Sequence, residues 1–248
     1  MQSMDRKQSD NNKFYKARKF SIIIPTLNEG KNLKLLVEKI FYYLKGFNFE
    51  IIIVDDNSSD NTKSVLNYLK KRYLNLTFFV RKCPPDLSQS VIKGFEKSKY
   101  ESILVMDADM QHNPFYLPRM VTLFFKKNKD FVVCTRDFNK KLGINFIRKN
   151  FSKAFIILIN YTFGFKTKDP MSGFFIFKKK FFKKNIKKLF GKGFKILFDL
   201  LYSEEILDVQ DLSIKFDMRK NNTSKMSIKI IFLLIRAIFF KFKKNKFN

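Results

Sequence analysis

The sequence predicts an α/β protein built on a doubly wound, mostly parallel sheet. Short apolar runs, which are typical of buried strands, alternate with segments whose apolar residues recur at helical spacing. This alternation is typical of parallel sheets that carry helices on both faces. Polar clusters at 25–29, 55–58 and 107–111 follow predicted strands, at the edge where such sheets bind ligands. The 248 residues show no repeat or clear linker, so one domain with a C-terminal extension is expected.

The first half of the chain is predicted to supply five strands, at 20–24, 49–54, 76–80, 102–106 and 131–135. Helices are predicted between them: from 29 to about 45, from the 55–60 cluster to about 73, at 87–98 and at 115–127. Asn28 is expected to cap the first of these helices, and Pro114 to start the last. The glycine-rich phosphate motifs of dinucleotide enzymes and P-loop proteins are absent from the sequence.

The second half is predicted to be more basic and more helical. An amphipathic helix is expected at 146–163, a strand at 172–177, helices at 181–189 and 194–202, and an edge strand at 209–216. A last helix from 226 to about 242 contains the apolar run 230–235, far shorter than the ~20 residues that span a bilayer. It is expected to lie in the membrane interface beside anionic head groups, and a terminal helix packed on the core is the alternative.

These patterns divide the chain into three parts: a disordered basic tail at 1–18, a globular domain at 19–225, and an amphipathic helix with a basic tail at 226–248. The N-terminal tail is polar and lacks the apolar core of a secretory signal. Cys83 and Cys134 have neither metal-site spacing nor a disulfide framework, which fits a reducing cytosolic compartment.

The net charge of +28 favours polyanionic partners: nucleic acid, an acidic lipid surface or phosphorylated substrates. Residues 140–248 carry 26 Lys and Arg against 7 Asp and Glu, so the excess lies in the C-terminal part. A solvated, lysine-rich surface would explain the same numbers. No helix-turn-helix, zinc or RNA-recognition signature supports a nucleic-acid-binding protein.

The chemistry is expected to centre on the stretch 105–112. Asp107, Asp109 and Gln111 alternate at the end of a predicted strand, so their side chains can converge on one point. Two carboxylates and an amide oxygen suit a hard cation such as Mg2+ or Mn2+, which keeps open positions for water and phosphate oxygens. The site therefore favours an enzyme that handles a nucleotide diphosphate, although two solvated aspartates in a turn would show the same spacing.

Seven motifs occur in a characteristic order: 21–29 (SIIIPTLNE), 53–58 (IVDDNS), 87–95 (LSQSVIKGF), 106–112 (MDADMQH), 135–136 (TR), 172–175 (SGFF) and 216–225 (FDMRKNNTSK). In this order and spacing they resemble the family 2 glycosyltransferases of GT-A fold. The pieces 87–95 and 219–225 resemble the branch of dolichol-phosphate mannose synthases and polyprenyl-phosphate sugar synthases. The resemblance covers about residues 19–240 and implies a GT-A, Rossmann-like, doubly wound sheet with a C-terminal amphipathic helical extension.

The resemblance also implies roles for individual residues. The donor nucleotide sugar would be bound by Pro25, Leu27, Glu29, Asp55, Asp56, Asp107, Ala108, Asp109, Arg219 and Lys225. The metal that bridges the diphosphate would be held by Asp107, Asp109 and Gln111. The acceptor phosphate would lie near Arg136, Arg148, Ser152 and Asp169, and the catalytic set would be Asp107, Asp109 and Arg136.

The sequence departs from the family pattern at a few positions. Leu27 stands where a Tyr is common, which weakens any stacking or hydroxyl contact there. Met218, Asn222 and Thr223 replace a frequent Glu, Gly and Glu in the loop that would close over the site.

The implied reaction is inverting transfer of mannose or glucose from a nucleotide sugar, GDP-mannose or UDP-glucose, to a polyprenyl or dolichyl phosphate. The protein would be peripheral on the cytoplasmic face of the membrane, and the sequence leaves open whether a separate membrane subunit anchors it. The first alternative is a family 2 enzyme that acts on a glycan hydroxyl, although the absence of Trp excludes the Gln-x-x-Arg-Trp motif of processive synthases. The second alternative is a non-enzymatic nucleic-acid-binding protein.

A lipid phosphate is already ionised at neutral pH, so it requires no dedicated general base, unlike a hydroxyl acceptor. His112, the one histidine, is therefore expected to cap a helix or to support a metal ligand rather than to act as a base. Asp169 is a candidate base, with two alternatives: that it orients Arg148, or that it holds the loop before Ser172.

Overall fold

The computed structural model describes residues 15, 17–136, 146–193, 196–215, 236 and 238–242, with the backbone alone for 146–153. Its strands are β1 (Lys19–Thr26), β2 (Asn48–Asp55), β3 (Leu76–Val80), β4 (Ser102–Val105), β5 (Phe131–Arg136), β6 (Phe175–Lys178) and β7 (Val209–Ile214). Its helices are α1 (Gly30–Tyr43), α2 (Thr62–Arg72), α3 (Leu87–Lys97), α4 (Leu117–Lys126), α5 (Phe146–Phe163), α6 (Lys180–Asn185) and α7 (Ile196–Leu201). Short 3-10 helices precede α4 (Pro114–Tyr116) and follow α6 (Ile186–Lys188).

Across the described residues, the strands form one sheet in the order β3-β2-β1-β4-β6-β5-β7. β6 is antiparallel to β4 and β5, and the other pairings are parallel. The predicted α/β fold with a mostly parallel sheet is confirmed, and β7 lies at an edge as expected. The sheet order brings the carboxyl ends of β1, β2, β4 and β5 to one edge, because these strands run in the same direction.

The central strands are buried because helices cover both faces of the sheet. Ile22, Ile23 and Ile24 of β1 are fully buried, which explains their continuous apolar run. Helix α3 approaches β1 so closely that a Cβ on Gly94 would lie 2.2 Å from Ile23 Cγ2. The glycine in the 87–95 motif is therefore a packing requirement of the fold.

The expectation that Asn28 caps α1 is wrong. Asn28 has a positive φ of 57°, and its side chain accepts a hydrogen bond from the Ser59 amide at 2.8 Å. The first amides of the helix are satisfied from the loop after β2: Glu29 N–H donates to Thr62 Oγ1 (3.1 Å), and Gly30 N–H donates to Asp60 Oδ2 (3.3 Å). Capping therefore comes from a segment thirty residues away in sequence, which no local pattern indicates.

The predicted strand at 172–177 starts later, at Phe175. Ser172 turns the chain instead: its hydroxyl donates to the Cys134 carbonyl at 2.7 Å, and its amide donates to the Asp169 carbonyl at 3.1 Å. The loop that precedes β6 is thereby tied to β5.

Both ends of the chain touch the core where they are described. Tyr15 stacks on Phe47, with ring centroids 4.5 Å apart, and Thr122 Oγ1 donates to the Tyr15 hydroxyl at 3.1 Å. At the other end, residues 238–242 are helical and Lys241 is buried. No helix within the described residues is long and apolar enough to cross a membrane. The disordered tail at 1–18 and the interfacial helix at 226–248 lie mostly outside the described residues and stay predictions.

Candidate active site

The strand ends at the carboxyl edge carry unusual backbone conformations. Asn28, Asn57 and Met110 follow β1, β2 and β4 and have positive φ angles of 57°, 64° and 64°. Asparagine tolerates this left-handed region, but methionine rarely adopts it, and such residues cluster at functional sites. The predicted metal loop, which we define as residues 107–111, therefore has a locally unfavourable conformation that the surrounding structure stabilises.

Asp107 is positioned by His112. The Asp107 amide donates to His112 Nδ1 at 2.9 Å, and His112 Nε2 lies 3.6 Å from Asp107 Oδ2. Because Nδ1 accepts a hydrogen bond, the neutral ring carries its proton on Nε2, facing the carboxylate. His112 itself is buried, and its ring stacks on Phe174 with centroids 5.1 Å apart. The capping role considered for His112 belongs to Asn113, whose side chain accepts from the Phe115 amide.

The SGF motif at 172–174 gives the Asp107 carboxylate its space. A Cβ on Gly173 would lie 2.7 Å from Asp107 Oδ2 and 3.1 Å from His112 Cε1. The Phe174 ring stacks on the imidazole. The glycine is therefore required by the side chains of the site, since its φ lies outside the left-handed region.

Asp107, Ala108 and Asp109 form the turn after β4. The Asp107 side chain is 33% exposed, whereas Asp109 and Ala108 are buried. Asp109 Oδ1 accepts from the Gln111 amide at 3.1 Å, which holds the turn closed. Within the described residues, no three His, Cys, Asp or Glu side chains cluster as a metal site. Two carboxylates and an amide oxygen fit a hard divalent cation that takes its other ligands from phosphate and water, and they do not form a closed cage.

Arg136 ends β5 and forms a two-pronged ion pair with Asp169. Its Nε lies 2.7 Å from Asp169 Oδ2, and its Nη2 lies 2.9 Å from Oδ1. The Asp169 side chain is fully buried, and that of Arg136 is 17% exposed. Burial works against the charge of Arg136, but the carboxylates of Asp169 and Asp107 outweigh it and raise the pKa of the guanidinium. The arginine is therefore held as a permanent cation beside the predicted metal loop.

A further layer holds Asp169. Its amide lies 3.4 Å from Thr167 Oγ1, which donates to Asp211 of β7, and Asp211 also accepts from the Lys168 amide at 3.0 Å. Asp169 orients Arg136. The side chain of Arg148, the partner considered from the sequence, lies outside the described residues. Its contact with Ser172 agrees with the other expectation, that it holds the loop before Ser172.

The side chains expected to bind the donor base and ribose lie at the ends of β1 and β2. Pro25, Glu29, Asp55 and Asp56 are buried, and Leu27 is partly exposed. Glu29 Oε2 accepts from Asn32 at 2.6 Å, and Asp55 accepts from the amide and hydroxyl of Ser58. These bonds fix the loops that carry the predicted donor contacts.

Asp56 is the centre of an arrangement that the sequence did not indicate. It pairs with Arg81, directly after β3, and accepts from the Asp86 amide at 2.6 Å. Burial raises the pKa of Asp56, and the charge of Arg81 opposes that rise. A basic residue immediately after a predicted strand, at the predicted ligand-binding edge, was the available signal for Arg81.

Several predicted site residues cannot be placed by their side chains. Arg148 and Ser152 belong to α5, but only the backbone is described there. Arg219 and Lys225 lie outside the described residues. The structure does bring together Asp107, Arg136 and Asp169, which are separated by up to 62 positions in the sequence.

The chain is similar to known proteins in sequence and in fold. A family model described as glycosyl transferase family 2 matches residues 21–186. A dolichol-phosphate mannosyltransferase of Pyrococcus furiosus is 34% identical over 225 residues, which are 89% of this chain and 63% of that protein. The chain thus spans less than two thirds of that relative. A dolichol-phosphate mannosyltransferase of Saccharomyces cerevisiae is 30% identical over 246 residues, which are 91% of this chain and 89% of the relative.

A solved structure supports the fold. The chain is similar to the crystal structure of glucosyl-3-phosphoglycerate synthase from Mycobacterium tuberculosis in complex with Mn2+, UDP-glucose and phosphoglyceric acid. The TM-score is 0.68 at 15% identity, covering 93% of this chain and 83% of that one. At this identity the similarity concerns the fold alone. The family match and the relatives confirm the predicted resemblance: the chain belongs to glycosyl transferase family 2, in the branch of the dolichol-phosphate mannosyltransferases.

Proposed function

We propose that this chain transfers a hexose, with inversion, from a nucleotide diphosphate sugar to a dolichyl or polyprenyl phosphate. The observation that carries the proposal is the similarity to dolichol-phosphate mannosyltransferases along most of the chain. The site supports it, because the partly exposed Asp107 lies beside a fixed cation, Arg136, at the carboxyl edge of the sheet.

The donor diphosphate is assigned to the turn of Asp107 and Asp109. These carboxylates and Gln111 would hold Mg2+ or Mn2+, which when bound neutralises the charge on the leaving diphosphate. His112 keeps Asp107 in place by accepting a hydrogen bond from the Asp107 amide, and Gly173 leaves space for the Asp107 carboxylate because it has no side chain. Asp55 and Asp56, held by Ser58 and Arg81, lie at the end assigned to the base and ribose.

Arg136 is assigned to the reacting phosphates. Asp169 accepts hydrogen bonds from Nε and Nη2 of the guanidinium and restricts its rotation, so a fixed positive charge faces the predicted metal loop. Arginine can also bind a phosphate through parallel hydrogen bonds. Arg148, Ser152, Arg219 and Lys225 remain proposed phosphate-binding residues, by resemblance alone.

The burial of Asp169 and its pairing with Arg136 favour an anionic acceptor over a glycan hydroxyl. A hydroxyl acceptor requires a carboxylate base that can reach it. Asp169, the base candidate from the sequence, is fully buried and bound to Arg136 through both oxygens. A phosphate acceptor is ionised before it binds, so it reacts without that base.

The exposed face of α5 is proposed to contact the membrane that holds the acceptor. Ile157, Leu158 and Tyr161 are 69%, 45% and 91% exposed, and their spacing places them on one face of the helix. Phe165, just beyond the helix, is also 66% exposed. Such an apolar face on a strongly basic chain suits peripheral binding to an anionic bilayer, here assigned to its cytoplasmic face.

The test is sugar transfer by the purified protein from labelled GDP-mannose and, separately, UDP-glucose, to a polyprenyl phosphate in detergent with Mn2+. Formation of a chloroform-soluble product that depends on the lipid phosphate is the expected result. A product from one donor alone would identify the nucleotide and the sugar. Transfer only to a glycan hydroxyl would contradict the proposed acceptor, and tight binding to random DNA without any transfer would contradict the enzymatic role.

A further inference from the structure

The C-terminal segment 238–242 is held by a buried lysine. Lys241 is 1% exposed, and its ammonium group donates to the Lys188 carbonyl at 3.0 Å and to the Ser203 hydroxyl. It also lies 3.6 Å from Asp199 Oδ1, whose side chain is 4% exposed. A buried charge is stable only when it is paired and hydrogen-bonded, so this lysine fixes the segment in one position. Its neighbour Phe239 points to solvent and is 70% exposed.

Asp199 passes this constraint to the glycine loop, which we define as residues 190–193. The Phe190 amide donates to Asp199 Oδ1 at 3.0 Å, and the Gly191 amide donates to Oδ2 at 2.8 Å. Burial raises the pKa of Asp199, and the charge of Lys241 opposes that rise. The lysine therefore favours the ionised carboxylate that accepts both loop amides.

The other end of the glycine loop is bound to the start of α3. The Gly193 amide donates to Asp86 Oδ2 at 2.9 Å, and the Gly193 carbonyl accepts from the Ser88 amide at 2.8 Å. Gln89 Nε2 also donates to the Gly191 carbonyl at 2.6 Å. Gly191 and Gly193 have φ angles of 64° and 85°, which favour glycine at both positions.

Asp86 connects this loop to the predicted nucleotide end of the site. Its side chain caps α3 by accepting from the Gln89 amide, while its own amide donates to Asp56 Oδ2 at 2.6 Å. Arg81 donates both to Asp56 and to the Asp86 carbonyl. Asp86 is therefore hydrogen-bonded both to the glycine loop and to Asp56, which follows β2.

We propose that Lys241 is a positioning residue for donor binding, and that docking of segment 238–242 and binding of the nucleotide strengthen each other. The inference rests on the proposed function in that it assigns the nucleotide to the Asp55–Asp56 end. Release of Lys241 loosens the hold of Asp199 on the glycine loop, which lets the start of α3 and Asp86 move relative to Asp56. Because coupling between two binding events is reciprocal, bound nucleotide stabilises the docked segment to the same extent.

The first test compares Lys241→Met with Lys183→Met by titration calorimetry of GDP and of UDP, each with Mn2+. Lys183 pairs with Glu101 on the surface, where both side chains are more than half exposed, so the control makes the same chemical change in a solvated ion pair. Lys241→Met should weaken binding of the accepted nucleotide about tenfold, within the usual range of coupling between sites. The control should bind as the wild type does, and KM for the lipid phosphate should stay unchanged in both variants.

Hydrogen exchange of the wild-type protein provides a second test, which holds even if Lys241→Met does not fold. Nucleotide with Mn2+ should slow amide exchange in segment 238–242. Unchanged exchange there, or an unchanged nucleotide affinity in a folded Lys241→Met, would overturn the inference while leaving the proposed function intact. Failure of the wild-type protein to bind either nucleotide would overturn both.

Discussion

Replacement of Gly173 by alanine would place a methyl group against the carboxylate of Asp107. The added carbon would lie 2.7 Å from Asp107 Oδ2, whereas ordinary contacts begin at 3.4 Å, so the carboxylate must move by roughly 0.7 Å. His112 limits that movement, since its Cε1 lies 3.1 Å from the same methyl group. A displacement of this size lowers kcat/KM by about tenfold to a hundredfold, or about 1.4 to 2.7 kcal/mol of transition-state stabilisation.

The assay is steady-state sugar transfer at several Mn2+ concentrations, together with thermal unfolding. Gly173→Ala should raise the Mn2+ concentration for half-maximal rate and should leave stability nearly unchanged. The control is Gly94→Ala, whose methyl group would collide with Ile23 in the core at 2.2 Å; it should lower stability and leave the Mn2+ requirement unchanged. A Gly173→Ala enzyme with wild-type kcat/KM and Mn2+ dependence would refute the placement of the metal at Asp107.

Three further predictions concern other parts of the molecule. Asp169→Asn should lower kcat at least about tenfold and destabilise the fold by about 3 kcal/mol, because Arg136 loses its buried counter-charge. Steady-state kinetics and thermal unfolding measure the two effects. A stable, fully active variant would contradict the pairing of Asp169 with Arg136. Burial alone would raise the pKa of Asp60, but hydrogen bonds from Thr62 and Gly30 outweigh it and lower the pKa below 3.8. Asp60 therefore stabilises the folded protein above pH 3.8, and this contribution is lost as the pH falls through the pKa of the folded state. Asp60→Ala should therefore cost about 1 kcal/mol at neutral pH, and its deficit in unfolding free energy should shrink in acid; a deficit independent of pH would refute the capping role. Ile157→Asp should weaken binding to anionic vesicles at least about tenfold in sedimentation assays. Leu74→Asp, at a fully exposed position outside α5, should leave vesicle binding unchanged. An equal loss of binding in both variants would contradict the proposed membrane face of α5.

The sequence predicted the framework well because strands and amphipathic helices have local signatures. The run at 20–24 is apolar at nearly every position because β1 is covered on both faces, and this pattern requires no knowledge of its neighbours. The predicted metal loop also has a local signature, since Asp107, Asp109 and Gln111 alternate directly after a strand. The antiparallel insertion of β6 between β4 and β5 was not predictable, because strand order depends on contacts between distant segments.

The hydrogen-bond and ion-pair partners of individual side chains were not predictable from the sequence either. Asn28 is of a residue type that often caps helices, yet the first amides of α1 donate to Asp60 and Thr62. Lys241 belongs to a segment for which the sequence left two positions open, the membrane interface and the core, and it is buried against Asp199. In each case the local pattern identified a polar group, but the partner came from elsewhere in the chain.

By itself, the sequence determined the α/β class, the polar clusters at the carboxyl edge of the sheet and the identity of the residues at the strand ends. These features follow from hydrophobic periodicity and from the fixed direction of parallel strands, which are local properties of the chain. Only the tertiary structure decided that Asp169 holds Arg136, that Gly173 makes room for Asp107 and that the glycine loop links Lys241 to the start of α3. Those contacts join residues far apart in sequence, so they exist only when packing brings buried charges and amides within hydrogen-bond distance.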